Sequence, residues 1–137
     1  MVDEIDEMIL KLLEKNARMT YVDIGKAIGL SEGAVRNRVQ SLVEEGVIRR
    51  FTIEKNIQVG VRALTMIAVN PSIPTFEISQ KVDELRGVEK IYEVTGEYDI
   101  IMVSTGSNIE GINRVIEDIR KINGVEKTNT IIVLRTI

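Results

Sequence analysis

The sequence contains no cysteine and no histidine. Disulfides, thiol nucleophiles, cysteine–histidine zinc sites and mechanisms with an imidazole base are therefore excluded. Aromatic residues are also scarce, since the 137 residues include only three tyrosines, two phenylalanines and no tryptophan. Because single-stranded nucleic acids are usually held on stacked aromatic side chains, a single-strand binding protein is disfavoured.

Long apolar runs and targeting signals are missing as well. The sequence has no stretch of about 18 apolar residues for a membrane span. Its first residues are acidic, unlike the basic and apolar start of a signal peptide. We therefore expect a cytoplasmic protein without a membrane partner. Carboxylates, lysine and tyrosine show no convincing catalytic pairing on one face, so we expect no enzyme, no metal site and no cofactor.

Charge is distributed unevenly along a chain whose formal net charge is -3. Residues 3–14 hold five acidic side chains and one basic side chain, whereas residues 15–62 hold nine basic and five acidic ones. A basic face on an acidic protein would suit phosphate groups. From charge alone, a solvated surface of mixed sign explains the pattern equally well.

Three helices are predicted in the first 46 residues. The first is indicated by an apolar stripe with helical spacing, formed by Ile5, Met8, Ile9, Leu12 and Leu13. Thr20 is a cap residue that begins the second helix, and Gly29 ends it. Ser31 caps the third helix, which closes at Gly46. Its buried stripe is predicted to be Val35, Val39, Leu42 and Val43. This arrangement is a helix-turn-helix.

Residues 47–53 are rich in β-branched side chains and predict a strand after the helices. The sequence therefore predicts a winged helix-turn-helix domain over residues 1–53. A linker is expected at residues 54–61, and a second domain at residues 62–137.

The second half contains an internal repeat. The segment Leu85–Lys90 matches Ile122–Lys127, which lies 37 residues further on. Helices are predicted at residues 75–85 and 107–122, the latter with a capping box of Ser107 and Glu110. Strands are predicted at residues 63–70, 89–95, 98–105 and 129–136. The order βαββαβ predicts a ferredoxin-like sandwich, so the fold class is α+β.

Several of these strands are unusually apolar, as in 100–103 and 131–134. A ferredoxin-like sheet covers helices on one side only, and strands buried on both faces read as continuous apolar runs. We therefore expect a second copy of the chain to pack on the free face of the sheet.

The second helix of a helix-turn-helix enters the major groove of duplex DNA. Helical spacing directs Gly33, Asn37, Gln40 and Ser41 away from the predicted core. Candidate DNA-binding residues are Ser31, Glu32, Gly33, Arg36, Asn37, Arg38, Gln40, Ser41, Arg49 and Arg50. For Arg38, an ion pair with the acidic first helix is an equally good reading. For Arg49 and Arg50, protection of an exposed strand edge is the alternative.

Five segments carry a resemblance to a known family: Ile5–Leu13, Ile24–Ser31, Val35–Ile48, Val94–Ile101 and Gly124–Thr130. Over nearly its whole length the chain resembles the leucine-responsive (Lrp/AsnC) regulators, of the archaeal or thermophilic type. The resemblance implies a DNA-binding transcription regulator whose C-terminal domain forms a homodimer. It further implies assembly into tetramers or octamers and binding of a small amino acid.

An amino acid zwitterion needs an acceptor for its ammonium group and N–H donors for its carboxylate. Asp99 is the candidate acceptor, while the turn Gly96, Glu97 and Tyr98 and the helix start after Thr105 offer backbone N–H groups. By resemblance, Thr128 and Thr130 on the last strand add contacts. The alternative is structural, with Gly96 in a hairpin, Asp99 capping a turn and the threonines favouring a strand.

Two other functions fit the same residues. One is an architectural DNA-binding protein with little sequence preference, which specific and nonspecific affinities at one salt concentration would distinguish. The other is an amino-acid-sensing regulatory subunit of an enzyme, because ferredoxin-like domains host many functions.

Overall fold

The computed structural model describes residues 1–56 and 59–137. Among these residues the elements are α1 Glu4–Lys15, α2 Tyr21–Ile28, α3 Glu32–Glu44, β1 Val61–Val69, α4 Thr75–Asp83, β2 Val88–Glu93, β3 Ile100–Gly106, α5 Ile109–Arg120 and β4 Val125–Ile132. The chain divides into two compact units, residues 1–55 and 56–137. The expected linker, 54–61, includes residues 57 and 58, which lie outside the described residues, so the domain limits stay a prediction. Within the described ranges, no helix is long and apolar enough to cross a membrane.

The helices of the first unit begin and end at the predicted caps. The Thr20 hydroxyl accepts the N–H of Asp23 at 3.1 Å, and the Ser31 hydroxyl accepts the N–H of Ala34 at 3.2 Å. Gly29 ends α2 with a φ of 77°, a left-handed conformation that only glycine adopts without steric cost. Helices α2 and α3 thus form the expected helix-turn-helix.

The core of the first unit is smaller than the apolar pattern suggests. Its buried apolar residues are Ile9, Leu13, Ile24, Val35, Val39 and Leu42. Val43, predicted to be buried, is 44% exposed. At 3.6 residues per turn, Val43 lies about 80° around the helix from Val35 and leaves the buried stripe.

The strand predicted at residues 47–53 is wrong, because none of the described residues 47–56 is in a strand. Phe51 is 55% exposed and Ile53 is 80% exposed. Strand propensity expresses how well a side chain fits a half-buried sheet. A strand also needs a hydrogen-bonded neighbour, and the regular elements in the described part of the first unit are all helices.

The second unit is a four-stranded antiparallel sheet in the order β2-β3-β1-β4, with the element order βαββαβ. This confirms the ferredoxin-like architecture. Helices α4 and α5 cover one face of the sheet. The core between them and the sheet includes Ile67, Val69, Ile78, Val82, Ile100, Met102, Val115 and Ile119.

The sequence repeat corresponds to two equivalent turns. Gly87 and Gly124 follow α4 and α5 and adopt φ values of 93° and 100°. The Gly87 carbonyl accepts the N–H of Thr105 at 2.9 Å, and the Gly124 carbonyl accepts the N–H of Asn70 at 2.7 Å. Each repeat therefore bonds to a segment of the other half of the unit.

The cap of α5 and the bounds of β4 differ from the prediction. Helix α5 begins after Asn108, whose side chain accepts the N–H of Gly111 at 2.9 Å, so the capping box of Ser107 and Glu110 is wrong. Strand β4 pairs with β1 from Val125 onward and ends at Ile132, four residues earlier than predicted. β4 is an edge strand of the sheet formed by the described residues, where polar side chains are tolerated, so its polar first residues did not indicate a strand.

The face of the sheet away from the helices is apolar and uncovered in the single chain. Leu64 and Met66 of β1 and Ile101 and Val103 of β3 are partly exposed there, since alternate residues of a strand point to opposite faces. Ile131 of β4 pairs with Leu64 and is 48% exposed. This surface is the one predicted to receive a second copy.

Candidate nucleic-acid interface and ligand site

One face of α3 is exposed and polar. Gly33, Asn37, Gln40 and Ser41 are all exposed, as helical spacing predicts. A Cβ atom added at Gly33 would meet nothing within 4 Å, so the backbone there is open to close approach. Opposite this face, Val35 and Val39 are buried. The first unit therefore presents α3 outward.

Several candidate side chains on α3 are already hydrogen-bonded within the unit. Ser31 caps the helix, and Arg36 pairs with Glu32 four residues before it. The Arg36 guanidinium also lies 5.9 Å from the centroid of the Tyr21 ring. The Gln40 amide donates to Glu44 at 2.9 Å. These pairs are exposed, where such interactions contribute little and exchange readily with other partners.

Arg38 is held by the start of α1. Its Nη1 lies 2.7 Å from Oδ2 of Asp3 and 3.0 Å from Oδ1 of Asp6. The hydrogen bond from Arg38 lowers the pKa of Asp3 below its ordinary value, and the same contact raises the pKa of Arg38. Of the two interpretations of Arg38, the structure supports the ion pair with the first helix.

Arg49 and Arg50 follow α3 and are both exposed. Neither forms an ion pair with any residue in the described part of the chain. Both guanidinium groups are thus available to an external anion, which suits phosphate contact.

The turn between β2 and β3 contains the candidate ligand residues 96–99 and is tied to the end of β1. Asp99 donates its N–H to the Ile67 carbonyl at 2.9 Å, and its Oδ2 accepts the N–H of Val69 at 2.8 Å. Gly96 has a φ of 113° and open space around it. Asp99 therefore has a structural role in this turn, as the alternative interpretation of the sequence expects.

Lys127 of β4 joins this turn, although the sequence pattern does not point to it. Its ammonium donates to Oε1 of Glu97 at 3.2 Å and lies 5.4 Å from the centroid of the Tyr98 ring. The hydrogen bond to Glu97, followed by the electrostatic interaction with the Tyr98 phenol group, raises the pKa of Lys127. Lys127 stands at the end of the repeat, so only the pairing of β4 with β1 reveals its neighbours.

The three threonines do not lie together. Thr128 accepts a hydrogen bond from Arg120 of α5 at 3.3 Å and pairs with Ile67, near the turn. Thr130 bonds to Thr65 on the helix-facing side of the sheet. Thr105 lies near the C-terminal end of β3, at the opposite end of the sheet from the turn, about 17 Å away at 3.4 Å per residue. The structure brings residues 96–99, Lys127 and Thr128 to one end of the sheet.

Asp3 and Asp6 form a reciprocal capping box that the sequence analysis did not identify. Their spacing of three, directly before an apolar helical stripe, is the signal that could have found it.

A cavity of about 380 Å³, lined mainly by Leu13, Ala17, Met19, Tyr21 and Phe51, lies elsewhere in the first unit and contains none of the candidate residues.

Comparison with known proteins agrees with both units. Residues 2–49 match the family description "Winged helix-turn-helix DNA-binding", and residues 62–137 match "Lrp/AsnC ligand binding domain". The chain is 51% identical over 134 residues to the HTH-type transcriptional regulator LysM of the archaeon Sulfurisphaera tokodaii, covering 98% of this chain and 96% of that protein.

Solved structures show the same likeness. The leucine response regulatory protein LrpA of Mycobacterium tuberculosis has a TM-score of 0.86 and 27% identity, covering 98% of this chain and 94% of that one. A feast or famine regulatory protein from the same organism, complexed with L-methionine, has a TM-score of 0.86 and 25% identity, with 99% and 94% covered. Given these matches across both units, the chain belongs to the Lrp/AsnC family of DNA-binding transcription regulators.

Proposed function

We propose that this regulator recognises specific sequences by placing α3 in the major groove of duplex DNA. The observation that carries the proposal is the exposed pair Asn37 and Gln40 on the second helix of the helix-turn-helix. They lie about one helical turn apart, so both side chains face the same side. Amide side chains suit bidentate contacts with adenine, and Gly33 allows the backbone to approach the groove.

Arg49 and Arg50 supply sequence-independent affinity in this proposal. Their guanidinium groups lie just beyond α3 and are exposed, which suits contact with phosphates flanking the groove. Arg36 joins them when the exposed pair with Glu32 exchanges for a phosphate. Ser31, Glu32 and Ser41 border the same face of α3.

The test is selection of bound duplexes from a random pool, followed by affinity measurements on the selected site. The variant Asn37→Ala/Gln40→Ala should lose preference for individual base pairs, and each base contact that it removes should cost about 1–3 kcal/mol of discrimination. Asn113→Ala is a matched control, because Asn113 also donates to a glutamate four residues later, on α5 of the second unit. Unchanged selectivity in the double variant would contradict the proposal.

The same experiment separates the alternative functions. An architectural protein would bind selected and unselected duplexes equally at one fixed salt concentration. The named relatives are transcriptional regulators, which supports a role in binding rather than catalysis. An enzyme subunit would need a partner enzyme and would show no selected DNA site. Location in the cytoplasm stays a prediction.

We also propose that the chain forms a homodimer through the uncovered face of the sheet. Leu64, Met66, Ile101 and Val103 would be buried there, which supports a second copy as the cover. Two recognition helices in a dimer imply palindromic half-sites about one DNA turn, or a multiple, apart.

Light scattering tests the dimer. The mass measured for Leu64→Glu should shift toward the monomer mass of 15.4 kDa, whereas that of Val22→Glu, an exposed change on α2, should not. Tetramers or octamers would be further assemblies of this dimer.

An amino acid effector is proposed at the turn of residues 96–99. Glu97 and Asp99 offer carboxylates for its ammonium group, and Lys127 offers a cation for its carboxylate. Support comes from a relative solved with L-methionine and from the ligand-binding family match. Thr128 lies at the same end of the sheet. Thr105 and Thr130 are not part of this proposed site.

Calorimetry with the twenty amino acids tests the effector site. Asp99→Asn keeps an acceptor for the Val69 N–H but removes the charge that would bind an ammonium, so affinity should fall. Lys127→Met should weaken binding as well, whereas Lys121→Met, an exposed lysine after α5, is the matched control. Equal affinity in Asp99→Asn and the wild type would contradict the site.

A further inference from the structure

The start of α1 and the middle of α3 are joined by a closed ring of hydrogen bonds. Asp6 donates its N–H to Oδ1 of Asp3 at 2.9 Å, and Asp3 donates its N–H to Oδ2 of Asp6 at 3.1 Å. The other oxygen of each carboxylate accepts from Nη1 of Arg38, at 2.7 and 3.0 Å. All four carboxylate oxygens therefore have a donor. We name Asp3, Asp6 and Arg38 the aspartate–arginine ring.

The ring is only partly accessible to water. Asp6 is 8% exposed, and the Arg38 side chain is 31% exposed. Removing Arg38 would leave the Asp6 carboxylate nearly buried without its cation, and such a group disturbs its surroundings more than an exposed one does. The ring therefore differs from the exposed pairs elsewhere on α3.

Apart from the ring, α3 is held mainly by apolar packing. Val35, Val39 and Leu42 supply that packing, and hydrophobic contact has no preferred direction. Charge-assisted hydrogen bonds are short and directional. Arg38 lies next to Asn37 in the chain, so a bond that fixes Arg38 also fixes the rotation of α3 and the direction in which Asn37 points.

We propose that Arg38 is a positioning residue: Asp3 and Asp6 hold it, and through it they fix the rotation of the recognition helix. This inference rests on the proposed function, in which Asn37 and Gln40 read bases. Sequence selectivity then depends on two carboxylates at the start of α1 that do not contact DNA.

The competing role for Arg38 is contact with a DNA phosphate. In that case Arg38→Gln would weaken all duplexes alike and lower the salt slope by about 1. Asp6→Asn would have the opposite effect, because it removes a negative charge and releases the guanidinium. Arg38→Gln and Asp6→Asn change the net charge in opposite directions, so they would have opposite effects on DNA affinity.

If Arg38 is a positioning residue, both variants should change sequence selectivity in the same direction. Arg38→Gln and Asp6→Asn should each lower the ratio of specific to nonspecific affinity, by about tenfold, as when one base contact is misaligned. Their effects should not add, because both break one ring. Arg18→Gln, an exposed change of the same charge in the same unit, should leave the ratio unchanged.

Full-length protein is measured at a temperature where melting curves show every variant to be folded. If Arg38 had a purely structural role, the variants would melt at a lower temperature, but the folded protein would keep its ratio of specific to nonspecific affinity. That result would overturn the proposal. If Arg38→Gln does not fold, Asp3→Asn carries the test, because it leaves the pair of Asp6 and Arg38. A wild type without sequence preference would instead overturn the proposed function.

Discussion

The hydroxyl oxygens of Thr65 and Thr130 lie 3.0 Å apart, where β1 and β4 run side by side beneath the helices. Thr65 is fully buried. Thr130→Val should therefore lower the free energy of unfolding by about 1–3 kcal/mol, because the Thr65 hydroxyl loses its partner. Amino acid affinity should be unchanged.

Chemical denaturation and calorimetry check both parts of this expectation. Thr128→Val is the control, since its partner Arg120 is exposed, and its cost should be under about 1 kcal/mol. Intact stability together with abolished amino acid binding in Thr130→Val would instead place Thr130 in the ligand site.

Gly25 is required by the turn of the helix-turn-helix. Its carbonyl accepts the N–H groups of Gly29 and Leu30, and a Cβ atom at Gly25 would overlap the Leu30 carbonyl oxygen. Gly25→Ala should lower the free energy of unfolding of the first unit by about 1–3 kcal/mol or more, because the backbone must shift. Gly33→Ala on α3 has open space and should raise it by about 0.5–1 kcal/mol. Equal melting temperatures for the two variants would contradict this account.

Arg50 should act on DNA through charge alone. Arg50→Ala should weaken specific and nonspecific duplexes to the same extent and reduce the salt slope by roughly 0.9, because one phosphate is no longer neutralised. Arg114→Ala on α5 provides the same charge change in the second unit. A base-specific effect of Arg50→Ala, seen by repeating the duplex selection, would show that Arg50 reads bases.

Lowering the pH should reduce the stability of the first unit, because Asp3 becomes protonated. The hydrogen bond from Arg38 lowers the pKa of Asp3 from its ordinary value of 3.8. At pH values above the ordinary pKa of 3.8, this contact stabilises the folded state. The stabilisation disappears as the pH falls through the lowered pKa of the folded state. Melting temperatures of wild type and Arg38→Gln should converge as the pH falls from neutral to below the ordinary value of 3.8. A constant difference across that range would exclude this titration.

Features that depend only on neighbouring residues could be predicted from the amino-acid sequence. Thr20 and Ser31 cap helices because a hydroxyl needs only an N–H three residues later. Gly29 ends α2 because its backbone tolerates a positive φ. The alternation of helical and extended patterns was equally local, and it indicated the order βαββαβ.

Features that need a partner far away in the chain could not be predicted, because they arise only when the chain folds. Residues 47–53 have strand propensity but no neighbouring strand in the described first unit, whereas β4 begins at Val125 because β1 is there to pair with it. The partners of Arg38 and Lys127 lie about 30 residues or more away in the chain. A propensity belongs to a residue and its immediate neighbours, but a ladder or an ion pair exists only where folding brings two distant segments within hydrogen-bond reach.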